Sequence, residues 1–147
     1  MSVSKISTAA LTLVLLGVSA PAFAEGDAKK GEKAFKRCQA CHQIVDDSGT
    51  VLGGKKGKSG PNLYDIIGAT AGTNEDFGKK YGKSLVAAGE DGLVWDVENI
   101  AEYMTDPKKF LATYLNDKKA KSKMAHKQRK GQADIAAYLE SFKRDDS

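Results

Sequence analysis

Apolar and polar positions alternate along this chain as short amphipathic segments between long polar stretches. Residues 27–39 place Ala28, Gly31, Ala34, Phe35 and Cys38 on one face at helical spacing, with Asp27 as a fitting N-cap. The segment 46–62, "DDSGTVLGGKKGKSGPN", is rich in Gly, Lys and Ser and predicts a loop. Residues 63–67 predict a single helical turn, 68–80 are irregular, and 81–88 predict a short helix that stops at Gly89. "WDVENIAEYMTD", residues 95–106, is the clearest helix: Asp96 caps it, and Val97, Ile100, Ala101 and Met104 share a face. Pro107 ends that helix and can open the next, "PKKFLATYL". Residues 116–131 are lysine-rich and aperiodic, which predicts a long loop. Residues 131–143 form the last helix, with Ile135, Tyr138, Leu139 and Phe142 on one face. No segment reads as a strand and none repeats. The predicted class is therefore all-α, with few and short apolar faces, and a domain with so little core normally needs a staple.

The first residues read as an export signal. Lys5 supplies a positive charge, residues 9–18 ("AALTLVLLGV") an apolar run, and "AFA" at 22–24 the small residues a signal peptidase requires. The run is short for a membrane span and no charged stop-transfer cluster follows it closely. The expected division is a cleaved signal peptide, 1–24, and one soluble periplasmic domain, 25–147, without stable membrane insertion. Cleavage removes only Lys5 of the 23 basic residues and none of the 19 acidic ones, leaving a net charge of +3. That surplus is small and gives no reason to expect a nucleic-acid partner. Its placement is uneven: seven basic residues and no acidic one lie between Lys118 and Lys130, and six acidic residues and no basic one between Glu90 and Asp106.

The only two cysteines and one of the two histidines stand together in "KRCQACHQ", residues 36–43. A disulfide between Cys38 and Cys41 suits an oxidising compartment, but so small a loop stabilises little. A thioredoxin-like thiol pair needs a strand-then-helix context that this pattern lacks. The third reading is covalent attachment of c-type haem: two thiols one turn apart add to the vinyl groups of one porphyrin, and the histidine directly after them, His42, binds the iron. The macrocycle is then the missing staple. For the other axial position the chain offers Met104, Met124 and His126. Met104 lies on the apolar stripe of its helix and reads as core. Met124 is an isolated thioether in the polar "KAKSKMAHKQRK", which no amphipathic pattern explains, and His126 in the same loop offers an imidazole instead.

"CQACH", "GPNLY", "GLVWD", "YMTDPKKFL" and "KSKMAHK", in this order behind an export signal, resemble the class I c-type cytochromes, above all bacterial cytochromes c2 and c550, over essentially all of residues 25–147. The resemblance implies a small class I cytochrome c fold around one covalent haem c per chain. It implies a non-enzymatic, monomeric carrier of single electrons, between a bc1-type complex and a photosynthetic reaction centre or terminal oxidase. It assigns Cys38 and Cys41 to the thioether bonds, His42 and Met124 to the iron, and Pro61 to a carbonyl that accepts the His42 Nδ1–H. Tyr81 and Trp95 are implied near a buried propionate, Tyr103 and Ser122 near the methionine sulfur and the propionate, and Gly31, Phe35, Ile135 and Tyr138 at the crossing of first and last helices. Lysines of the 118–130 loop, with Lys55, Lys56 and Lys58, are implied around the haem edge as a docking face for acidic partners. One position departs from the pattern: His126 stands where the family usually has phenylalanine. The loops at 53–58 and 113–121 look extended, as in larger cytochromes c2.

Overall fold

Caps written in the sequence set where the helices begin. The computed structural model describes residues 25–54 and 57–144; the expected leader, residues 1–24, and Lys55 and Lys56 lie outside them. The Asp27 carboxylate accepts from the Lys29 and Lys30 amides at the start of α1 (Ala28–Phe35). Asp96 and Asn99 form a reciprocal capping box on α3 (Val97–Thr105), and Asp106 caps α4 (Pro107–Tyr114), which has its proline in the first turn. Two further helices are α2 (Lys83–Glu90) and α5 (Gln132–Glu140).

The predicted first helix, 27–39, is too long. After Phe35 the chain tightens: the Arg37 and Cys38 amides donate to Ala34 and Phe35, three residues back. Hydrophobic spacing does not register this change, because a tightened turn leaves Cys38 on the same side. The last helix is also shorter than 131–143, and the residues expected to make a helical turn at 63–67 form separate turns. The predicted 81–88 helix lies two residues later, with Gly82 as its N-cap, and it runs through Gly89 to Glu90 instead of stopping at that glycine.

The expectation of no strand is corrected. Residues β1 (Ile44–Val45) and β2 (Val51–Gly53) pair as a small antiparallel ribbon. Its turn is closed by the Asp46 carboxylate, which accepts from the Ser48 and Thr50 amides. The signal was present as two β-branched residues, "IV", facing "TVL" across "DDSG", but so short a ribbon disappears inside a polar loop.

α1 and α5 cross at close range. A Cβ at Gly31 would run into the Asp134 carbonyl and the Tyr138 side chain. The Phe35 and Tyr138 rings meet at 5.5 Å, and the Asp27 amide donates to the Asp134 carboxylate at 2.8 Å. α3 packs on both α5 and α4. Phe35, Ile44, Pro107, Leu111, Ile135 and Leu139 are the largest fully buried side chains. At the chain's end Arg144 grips Asp65 through its backbone amide and Nε and reaches Asp47, holding the 60s loop against α5.

Candidate functional site

The tightened turn after α1 carries the cysteines and histidine. The Cys41 and His42 amides both donate to the Cys38 carbonyl, at 3.0 and 2.9 Å, so the motif closes on itself. No disulfide joins the two cysteines; Cys38 is half-buried and packs against the core, while Cys41 is exposed. Burial, with a smaller contribution from Cys41, pushes the Cys38 thiol up to about 11.

A second strand of chain fixes the imidazole. The Gly60 amide donates to the Cys41 carbonyl at 2.8 Å and the Leu63 amide to the Gln43 carbonyl at 2.9 Å, laying residues 60–63 alongside the motif. His42 Nδ1 then stands 2.9 Å from the Pro61 carbonyl oxygen. A carbonyl only accepts, so Nδ1 carries the proton and Nε2 keeps its lone pair. Burial lowers the His42 pKa, against a smaller opposing effect of this hydrogen bond, and so favours the neutral ring. Gly60 leaves the room the ring needs, since a Cβ there would strike the imidazole.

Sequence reasoning missed Asn62, which clamps this arrangement. Its Oδ1 accepts from the Val45 amide at 2.9 Å and its Nδ2 donates to the Val45 carbonyl at 2.7 Å. The ribbon and the Pro61 carbonyl are thereby one unit. The available signal was a side chain able to mimic a backbone amide next to a proline, but it names no partner.

Met124 lies on another wall. It is half-buried and packs against the same core as Cys38. Its amide donates to Ser122 Oγ at 3.1 Å, and that hydroxyl meets the Tyr103 hydroxyl at 3.3 Å. Tyr103 is buried in an aromatic cluster, 5.0 Å from Trp95 and 5.7 Å from Phe110 between ring centroids. Burial pushes both the Tyr103 and Tyr81 phenols up. Tyr81 packs edge-on against Phe77 at 4.8 Å. Two bonds pin the methionine loop to this side: Lys123 Nζ to the Lys80 carbonyl at 2.7 Å, and the Lys121 amide to Ser84 Oγ at 3.0 Å. Lys118, Lys119, Lys121, Lys123, Lys127, Arg129 and Lys130 are all exposed. Lys127 pairs with the Asp106 carboxylate, so it is less available than the others.

These residues fit a haem c. Nε2 of His42 keeps its lone pair in a fixed orientation, and Met124 is a half-buried thioether at the core's edge in an otherwise polar loop. Leu63, Ile66, Leu85, Phe110 and Leu115, from several segments, stay only half-buried around the core, as expected of apolar side chains that a large flat apolar body would cover. Trp95 is buried at the edge of the aromatic cluster around Tyr103. No group of three or more His, Cys, Asp or Glu side chains suited to a bare metal ion occurs among the described residues, and no helix there is long and apolar enough to cross a membrane.

Known proteins resemble this chain in sequence and in fold. No family model matches the chain. It is 58% identical to cytochrome c-551 of Roseobacter denitrificans over 134 residues, covering 91% of this chain and 94% of that one. It is 49% identical to cytochrome c2 of Cereibacter sphaeroides over 140 residues, covering 92% and 95% respectively. The crystal structure of cytochrome c2 from Rhodobacter sphaeroides superposes with a TM-score of 0.76 at 52% identity, over 80% of this chain and 97% of the other. The likeness bears out the predicted all-α class, with the small ribbon as its one addition.

Proposed function

The chain belongs to the class I c-type cytochromes, among the bacterial cytochromes c2 and c-550, and from that premise we propose a soluble periplasmic one-electron shuttle. Haem c is its cofactor. Cys38 and Cys41 would hold it through thioether bonds, and His42 Nε2 and the Met124 sulfur would bind the iron. Bound haem c supplies an Fe(III)/Fe(II) couple. The Pro61 carbonyl keeps His42 in the Nδ1–H tautomer, raises its basicity and stops the ring from turning. Met124, a soft donor, would favour the reduced state, and the half-buried apolar side chains would keep water and its stabilisation of extra charge away. Were His42 and Met124 both to hold the iron, they would leave no open position for a substrate, which favours a carrier over a peroxidase or a gas sensor. Thioether attachment would consume both sulfurs, which argues against a thiol–disulfide enzyme, since that chemistry needs a free thiolate.

The observation that carries this reading is the 2.9 Å contact between His42 Nδ1 and the Pro61 carbonyl directly beside Cys38 and Cys41. Optical spectra of the oxidised and reduced protein test it, together with haem staining after denaturing gel separation. The expected result is a stain that survives denaturation and a weak far-red band in the oxidised form, the mark of methionine on Fe(III). A chain that loses its haem on the gel lacks the thioether bonds.

The proposed partners are a bc1-type complex as donor and a photosynthetic reaction centre or terminal oxidase as acceptor, met through the lysine face; the supporting observations are the exposure of the seven basic residues and their position around Met124. Lys121 is the cleanest probe. Lys123 also holds the Lys80 carbonyl and Lys127 is paired with Asp106, so reversing either one disturbs structure as well as charge. Lys121→Glu should slow second-order electron transfer to an acidic partner roughly threefold or more at low salt, where the Debye length is about 30 Å. Melting temperature and spectrum should stay nearly unchanged. The difference should vanish as salt rises; a rate insensitive to both the reversal and the ionic strength would leave the lysines as solvated surface.

A further inference from the structure

Gln128 is the one buried polar or charged side chain of the described core, 3% exposed in an otherwise lysine-rich loop. Its four polar contacts form a closed set. The Gln128 amide N–H donates to the Met104 carbonyl at 2.7 Å, and its carbonyl accepts from Gln132 Nε2 at 2.8 Å. Its side-chain Nε2 donates to the Lys130 carbonyl at 2.7 Å. Its Oε1 faces His126 Nε2 at 2.9 Å. The Lys130 carbonyl can only accept, so the amide nitrogen must face it and the amide oxygen must face His126. That oxygen can only accept as well, so His126 carries a proton on Nε2.

The consequence concerns ligand choice. His126 lies two residues beyond Met124 in a segment without helical hydrogen bonds, a spacing that returns side chains to the same side of extended backbone. Imidazole is a stronger nitrogen donor than a thioether and the commonest metal-binding side chain. A free His126 would compete with Met124. Resting on the assignment of Met124 to the iron, we propose that Gln128 is a positioning residue that holds His126 out of the axial site: its amide oxygen occupies Nε2–H, the nitrogen less hindered by the backbone, and its buried amide anchors the loop so that the ring stays turned away. Its partner residues explain why a buried amide stands here. An apolar residue would fill the volume but leave the Lys130 carbonyl and the ring without partners.

The test uses the intact haem protein and reads ligation rather than electron-transfer rate. In Met124→Ala with Gln128 present, the reduced iron should bind CO rapidly and the oxidised iron should be high-spin. Adding Gln128→Leu should release His126: the oxidised iron becomes low-spin, and CO binding slows at least tenfold. His126→Ala in that background should restore rapid CO binding. If Gln128→Leu does not fold with Met124→Ala, the native protein decides: above neutral pH, nitrogen NMR of its reduced, diamagnetic form should show His126 as the Nε2–H tautomer.

Two outcomes overturn the proposal. One is a Met124→Ala protein that is already low-spin with Gln128 in place. The other is a Nδ1–H or freely exchanging His126. Neither touches the assignment of Met124, which fails separately if Met124→Ala retains the far-red band.

Discussion

Exported with Cys38 and Cys41 both replaced by alanine, the chain will show little helix by circular dichroism and no cooperative thermal transition. Each of the five α-helices among the described residues has only eight or nine residues, below the roughly 12–15 at which an isolated helix becomes even marginal in water. They must be held by packing, and the packing is incomplete. Leu63, Ile66, Leu85, Phe110 and Met124 sit at the core's edge half covered. Full burial of such a side chain is worth about 1.5–3 kcal/mol, so five left half-covered forfeit roughly 4–8 kcal/mol, comparable with the lower part of the 5–15 kcal/mol total stability of a typical domain. Without thioether bonds the haem has no covalent hold, and those faces have nothing to close upon. Both alanines are themselves small and helix-compatible, which separates the loss of haem from local damage to the turn. A sharp melting transition in the haem-free variant would show that protein packing alone suffices.

The helices were legible in the sequence where a cap coincides with a stripe. Asp96 with Asn99, and Asp106 with Pro107, act through atoms within three residues of one another, so position along the chain is enough to see them. The attachment motif was legible for the same reason: Cys38, Cys41 and His42 are one local turn. What the sequence did not show is how distant segments are tied together. Asn62 reaches back 17 residues to Val45, and its amide looks like any other polar loop residue until that backbone is beside it. Gln128 is hidden more thoroughly, because a glutamine between lysines and an arginine has every appearance of solvated surface, yet it is buried. The β1–β2 ribbon was lost because five residues of strand cannot impose a period of two on a glycine-rich loop. Tyr81, Trp95, Tyr103 and Ser122 became candidates through family resemblance alone; in the folded chain Trp95, Tyr103 and Ser122 form one chain of contacts ending at the Met124 amide.

Met124→Ala will keep the fold and change the redox centre. The loop does not depend on the thioether for its course. The residue-124 amide still donates to Ser122 Oγ, the Lys121 amide to Ser84 and Lys123 Nζ to the Lys80 carbonyl. Truncating a buried methionine costs about 2–5 kcal/mol, and Met124 is only half-buried, so about half of that is expected as lost stability. The change in chemistry is larger. The far-red band of the oxidised protein should disappear, the reduced protein should bind CO at neutral pH, and the midpoint potential should fall, because the soft sulfur that favours Fe(II) is gone. Axial ligands span about 0.8 V of haem potential, and a drop on the order of a quarter of that range is the expected scale. The comparison variant is His126→Ala, which should leave band and potential in place while Met124 remains. Potentiometric titration and the far-red spectrum of the two variants decide between the two candidates of the loop. A band that survives Met124→Ala, or that vanishes in His126→Ala instead, would move the ligand from the sulfur to the imidazole.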